Sequence, residues 1–267
     1  MDDIKNTMHT LCFHSTKGGT GKTFLTNSIA YGLGKLGKKV LVIDADQQGN
    51  LTGKLLGGLP AIGLASVLMQ KNTVLESIQP ANPIWGSNLS VLGGGGSLLG
   101  VINFLQEQPA REVVLRNALE PIRNDYDYCL IDCPPHRDVI VFNAITACDM
   151  VYIPVMPSKD DYSGINGTLQ VIETIKAAFR FPIQCGGIIR NRWGKDKLAK
   201  DISKLLESSC GSLLLKSIVP ETVKVRESIT NDSPLVVHSP NSPVSIAITS
   251  LVLEIFNHGK EWLNRTA

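Results

Sequence analysis

The chain has 267 residues, 43% of them apolar and 19% charged, and a formal net charge of +2. That length supports one large α/β domain or two small ones, and the composition excludes disordered and fibrous classes. Met1–Met8 is polar and acidic where a secretory leader would be apolar, and no apolar run reaches the roughly 18 residues a membrane span requires, so a cytoplasmic location is expected.

Thr10–Ser15 reads as a short buried strand that ends in a Gly-rich turn. Lys22–Leu36 follows with apolar residues at helical spacing (Phe24, Leu25, Ile29, Leu33, Leu36). Val40–Ile43 is a continuous apolar run, the mark of a strand covered on both faces. Further strands are expected at Leu89–Leu92, Tyr128–Ile131, Met150–Val155, Gln184–Ile189 and Leu213–Ile218, with helices near 101–120, 138–147, 163–179, 195–208 and 242–263. Gly93–Gly96 reads as a flexible loop. Regular β-α alternation predicts an α/β, doubly wound and mostly parallel sheet with helices on both faces. No linker, repeat or charge block divides the chain, so residues 1–267 are expected to form a single domain. A first strand starting by residue 10 leaves no room for an N-terminal DNA-reading domain. Six cysteines form no C-x-x-C pair, and Cys12, Cys129, Cys133 and Cys185 fall in or beside strand-like runs, where buried inert thiols are expected.

Ser15-Thr16-Lys17-Gly18-Gly19-Thr20-Gly21-Lys22-Thr23 lies between the first strand and the first helix, the context a phosphate-binding loop requires. Glycines let backbone N–H groups turn toward phosphate oxygens, and the helix start offers free N–H groups and partial positive charge to the same anion. Lys22 would reach the β- and γ-phosphates, and the Thr23 hydroxyl would ligate Mg²⁺. The pattern departs from G-x-x-x-x-G-K-[ST] at its first position, which is Thr16, and a second lysine, Lys17, follows.

This loop resembles the deviant Walker A box of the ParA/MinD family of P-loop NTPases. Asp44-Ala45-Asp46-Gln47-Gln48-Gly49-Asn50-Leu51-Thr52 is similar to the family's switch I, and Tyr128-Cys129-Leu130-Ile131-Asp132-Cys133-Pro134-Pro135 to its Walker B strand and switch II. The resemblance extends over nearly the whole chain. It implies an ATP- and Mg²⁺-dependent ATPase in which two subunits form an ATP-sandwich homodimer, with Lys17 reaching the phosphates held by the other subunit. Lys17, Gly18, Gly19, Thr20, Gly21, Lys22, Thr23 and Phe24 would then line the nucleotide. Asp46 would orient the attacking water, and Asp44 and Asp132 would support Mg²⁺ with Thr23. By the same resemblance, Asn191 and Pro220 would contact the adenine. Phe24 stands where the family usually has a second Thr, and Gln47 where it commonly has Pro; altered nucleotide affinity or switch mobility is expected from these two departures.

Residues 180–226 carry ten Lys/Arg and four acids, an excess of +6 that leaves −4 for the rest of the chain. Such asymmetry fits one anion-binding face. On a helix, Lys197, Lys200 and Lys204 form one stripe, with Leu198, Ile202, Leu205 and Leu206 opposite. Lys224 and Arg226 lie in a segment that resembles the ParA segment gripping DNA backbone. Sequence-independent DNA binding by the ATP dimer is therefore expected, with release through a ParB-like activator or cargo adaptor and a location on the nucleoid. Two alternatives are a MinD-like membrane-associated positioning ATPase and an organelle-positioning ATPase that uses the nucleoid. The amphipathic Thr249–Trp262 carries Lys260 as its basic residue, and this poverty of basic flanks makes a membrane partner the weaker expectation.

Overall fold

The computed structural model describes residues 7–136 and 138–266. In chain order the elements are β1 (His9–Phe13), α1 (Lys22–Lys35), β2 (Val40–Asp44), α2 (Asn50–Leu56), α3 (Leu64–Leu68), α4 (Val74–Ser77), β3 (Ile78–Pro80), β4 (Leu89–Leu92), α5 (Leu99–Gln106), α6 (Val114–Leu119), β5 (Tyr128–Asp132), α7 (Val139–Ala147), β6 (Met150–Val155), α8 (Lys159–Phe179), β7 (Gln184–Trp193), α9 (Lys197–Cys210), β8 (Leu214–Pro220), α10 (Val223–Thr230), α11 (Leu235–His238) and α12 (Pro243–Thr266). Eight strands form one sheet in the order β3-β4-β2-β5-β1-β6-β7-β8. All pairings are parallel except the β3–β4 edge.

The central strands β1, β2 and β5 are buried at every position rather than at alternate ones, as in a sheet covered on both faces. Cys12, Leu41, Ile43, Cys129 and Ile131 point into a core shared with α3, α5, α6, α7 and α8. Their neighbours Leu11, Phe13, Val40, Val42, Tyr128 and Leu130 point into the opposite core, closed by α1, α2 and α12. The doubly wound expectation thus holds, and strand polarity gathers the carboxyl ends of β1, β2, β5, β6 and β7 along one edge of the sheet. In such folds that edge is where ligands bind.

Three local expectations are corrected. The helix near 101–120 is two helices, because Pro109 lacks an N–H and forces its predecessor out of helical geometry. Gly93, Gly94 and Gly95 are buried rather than loose. On α9 the packed side is Ala199, Ile202 and Leu206, while Leu198 and Leu205 stand in solvent. Leu251 and Ile255 of α12 are core residues, and Trp262 lies outside the residues whose side chains are described. Among the described residues no helix is long and apolar enough to cross a membrane.

Candidate active site

The loop after β1 wraps the amino end of α1, and its backbone is shaped by two left-handed residues, Gly19 (φ 77°) and Gly21 (φ 90°). A Cβ on Gly21 would lie 2.2 Å from Asn191 Nδ2, so this position needs glycine for space as well as for φ. Gly21 is also the N-cap of α1 and has no side-chain cap. The first N–H groups of the helix are therefore left for a ligand, an anion site by geometry and dipole. Asn191 donates from Nδ2 to the Thr20 carbonyl at 2.7 Å, bracing the loop from β7.

Lys22 is buried, its ammonium donating to the carbonyls of Ser15 (3.3 Å) and Lys17 (3.2 Å). Burial lowers its pKa, and Asp132 is the strongest opposing influence. Asp132 closes β5 opposite Asp44 of β2 and Phe13 of β1. Its carboxyl is pushed up to about 8 by burial, and then by the charge of Asp44. The Thr23 hydroxyl lies within hydrogen-bonding reach of it, whereas Asp132 Oδ1 is buried with no protein partner among the described residues. A hard divalent cation suits this donor set of hydroxyl and carboxylate oxygen, with its vacant lone pairs.

Asp44 is fully buried and engaged twice over: Oδ2 accepts from the Thr52 N–H (2.8 Å) and hydroxyl (2.7 Å), and Oδ1 from the Asp46 N–H (3.1 Å). Burial raises its pKa, and the Thr52 bonds oppose that rise. Asp46, half-buried at the mouth, accepts from the Gln48 N–H at 2.9 Å. Residues two apart at a strand end should share one face; here they divide, one turned inward and one toward the mouth.

Lys17 does not join its own loop's cradle. Its ammonium donates to Asp161 Oδ2 (2.8 Å) and Ser158 Oγ (3.0 Å), at the start of α8. Asp161 is buried, and Ser158 caps the helix by accepting from the Asp161 N–H. Neither residue carried a sequence signal. Only the adjacency of β6 to β1 brings the segment after β6 beside the loop after β1.

Beside Gly19 and Gly21 opens a cavity of about 300 Å³, lined by Phe24, Asn191, Arg192, Pro220, Val225 and Ile229. Its apolar floor and amide rim suit a planar heterocycle at the smaller end of ligand-pocket sizes. Asn191 lies within β7 rather than after it, and Pro220 is the last residue of β8. Arg192 reaches the Gly19 carbonyl (3.4 Å) and Glu221 (2.9 Å) at the cavity mouth. Phe24, Asn191 and Pro220 are thus brought together with the loop, while Arg192, Val225 and Ile229 escaped the sequence reading.

Of the basic residues expected to meet DNA, Arg226 lines this same cavity, and the others lie away from it. Lys197, Lys200 and Lys204 are exposed along α9, and Lys224 and Arg226 are exposed on α10, where Lys224 pairs with Glu227 at 2.8 Å. Arg190 is different in kind. It is buried, and it donates to Ser203 and Glu207 of α9 and to the Leu215 and Lys216 carbonyls of β8. It clamps α9 to the sheet.

A family model described as "AAA domain" matches residues 8–184. The chromosome partitioning protein ParA of Caulobacter vibrioides is 28% identical over 262 residues, covering 96% of this chain and 97% of that one. The septum site-determining protein MinD of Pyrococcus horikoshii, solved as a complex with Mg-ADP, superposes with a TM-score of 0.74 at 26% identity, over 93% of this chain and 96% of that one. Cobyrinic acid a,c-diamide synthase of Mycobacterium smegmatis, solved with an ATP analog and magnesium, has a TM-score of 0.80 at 23% identity, covering 95% and 96%.

Proposed function

The chain belongs to the AAA-domain family, among its ParA/MinD-like ATPases, and from that premise we propose that it is a partition ATPase whose ATP-sandwich dimer binds DNA phosphates without sequence preference. It hydrolyses ATP with Mg²⁺, as the family does and as neighbours solved with magnesium nucleotides support. In this reading the free N–H groups at the start of α1 and the Lys22 ammonium hold the β- and γ-phosphates. The Thr23 hydroxyl and Asp132 hold Mg²⁺, which offsets the charge that builds on the phosphoryl group. Asp46 orients the attacking water, and the cavity beside Phe24 and Pro220 takes the base.

Lys17 acts across the dimer. Bound to Asp161 within its own subunit, it has to exchange that carboxylate for phosphate oxygens of the partner's nucleotide, which couples hydrolysis to association. A ParB-like activator or cargo adaptor then raises a slow intrinsic rate and releases the dimer from the nucleoid.

The observation that carries the DNA half is the exposed row Lys197, Lys200 and Lys204, held on one rigid face by the Arg190 clamp. One subunit's row is a weak site; two rows on one dimer gain from effective concentration. The test is binding to a random-sequence duplex with ATP, with ADP and without nucleotide, at two salt concentrations. Binding that requires ATP and falls steeply with salt is expected. No binding in any nucleotide state would refute the DNA half and leave the ATPase intact.

A further inference from the structure

We infer that Thr52 is a positioning residue for hydrolysis, its hydroxyl tying Asp44 to the Gly93–Gly96 turn and so fixing the backbone that presents Asp46. The inference rests on the reading of Asp46 as the water-orienting residue. Thr52 is fully buried on α2, closed off from solvent. Its hydroxyl donates to Asp44 Oδ2 (2.7 Å) and accepts from the Gly94 N–H (2.8 Å), while its own N–H donates to the same carboxylate oxygen (2.8 Å). Asp44 Oδ1 accepts from the Asp46 N–H, and the Asp46 carbonyl accepts from the Gly49 and Gly95 N–H groups, each at 3.1 Å. Both backbone polar groups of Asp46 are thereby committed to this network.

The glycine turn is built to receive that backbone. A Cβ on Gly94 would lie 2.2 Å from the Asp44 carbonyl oxygen and 3.1 Å from that of Asp46, so turn and strand end are in main-chain contact. Anchorage on the other side comes from the Ala45 N–H, which donates to the Asp132 carbonyl at 2.9 Å. A hydroxyl is required at position 52 because the site needs one donor and one acceptor on the same atom. Valine would match the shape and supply neither. Asp44, with three donors on its two oxygens, belongs to this brace; its work is done through Asp46.

The test compares full-length wild type, Thr52→Val and Thr52→Ser by steady-state ATP hydrolysis across ATP and Mg²⁺ concentrations, with thermal unfolding alongside. A misplacement on the order of 1 Å can cost up to about a hundredfold in rate. Thr52→Val should lose at least about tenfold in kcat while KM for ATP and half-saturation by Mg²⁺ stay within about twofold. Thr52→Ser should stay near wild type. Equal turnover in Thr52→Val and wild type, or equal losses in both variants, overturns the assignment. A Mg²⁺ half-saturation that shifts with Thr52→Val also overturns it, since the brace would then be serving the metal. Should Thr52→Val not fold, amide exchange in the wild type decides. The Asp46 and Gly94 amides should be protected well beyond the Gln48 amide, and rapid exchange at both overturns the brace. If Asp46→Ala keeps full turnover, the water-orienting reading falls and takes this inference with it; an inactive Asp46→Ala beside an unaffected Thr52→Val removes the role of Thr52 alone.

Discussion

Asp132 should bind a proton at neutral pH in the metal-free protein and surrender it to magnesium. Burial and the Asp44 charge lift its pKa from 3.8 to about 8, so folding favours its neutral form. A raised acid contributes most to stability below its unfolded value, and the contribution is lost as pH climbs from 3.8 toward 8. A divalent cation, by contrast, needs the carboxylate. At pH 7.5, close to that raised pKa, much of the population still carries the proton, and Mg²⁺-nucleotide binding should release it. Affinity should rise by about one to two powers of ten between pH 6 and 8, or about 1–3 kcal/mol, and level off at higher pH. Titration calorimetry at pH 7.5 in two buffers of different ionisation enthalpy counts the protons released. Asp132→Asn is nearly isosteric with the neutral acid and should fold normally, and its subtraction removes protonation of the nucleotide itself. Identical proton release by wild type and Asp132→Asn would refute the reasoning.

Three further outcomes are expected. Asp46→Ala removes a half-buried side chain whose backbone is held by other groups. Stability should change by no more than about 1 kcal/mol, while kcat falls at least about a hundredfold and the ATP dimer stays on DNA; unchanged hydrolysis would refute the role of Asp46. Lys17→Ala should abolish hydrolysis with monomer nucleotide affinity within a few-fold, and full turnover would sink the cross-dimer lysine. Arg190→Met leaves the buried Leu215 carbonyl and the part-buried Lys216 carbonyl without this donor, a loss of about 1–3 kcal/mol that lowers Tm by roughly 2–10 °C. Urea unfolding within about 0.5 kcal/mol of wild type would count against the clamp.

The sheet and the phosphate loop were legible because both are written locally. Apolar runs mark strands covered on two faces, and K-G-G-T-G-K-T between strand and helix has few other uses. Boundaries of β1, β2, β5 and β6 fall within a residue or two of expectation for the same reason. What was missed depends on contacts between distant segments. The glycine run reads as loose until its packing against the Asp44 carbonyl is seen. Leu198 and Leu205 satisfy a helical stripe, yet α9 turns Ala199, Ile202 and Leu206 inward, the rotation that also brings Ser203 and Glu207 to Arg190. Asp161 needs a partner 144 positions away to acquire meaning.

The bond between Lys17 and Asp161 also bears on how salt should act. Association on the proposed path replaces the Lys17 contacts with Asp161 and, at 3.9 Å, Asp160 by contacts with phosphate oxygens, so the number of paired charges changes little. Part-buried pairs are screened less than exposed ones, and Lys17 is only about one-third exposed beside a fully covered carboxylate. Added ions would therefore have little net charge pairing to weaken in the proposed dimer, whereas the exposed lysines of α9 would meet DNA phosphates in open solvent. A moderate rise in ionic strength should strip the intact dimer from DNA, which makes the two events separable in a single titration.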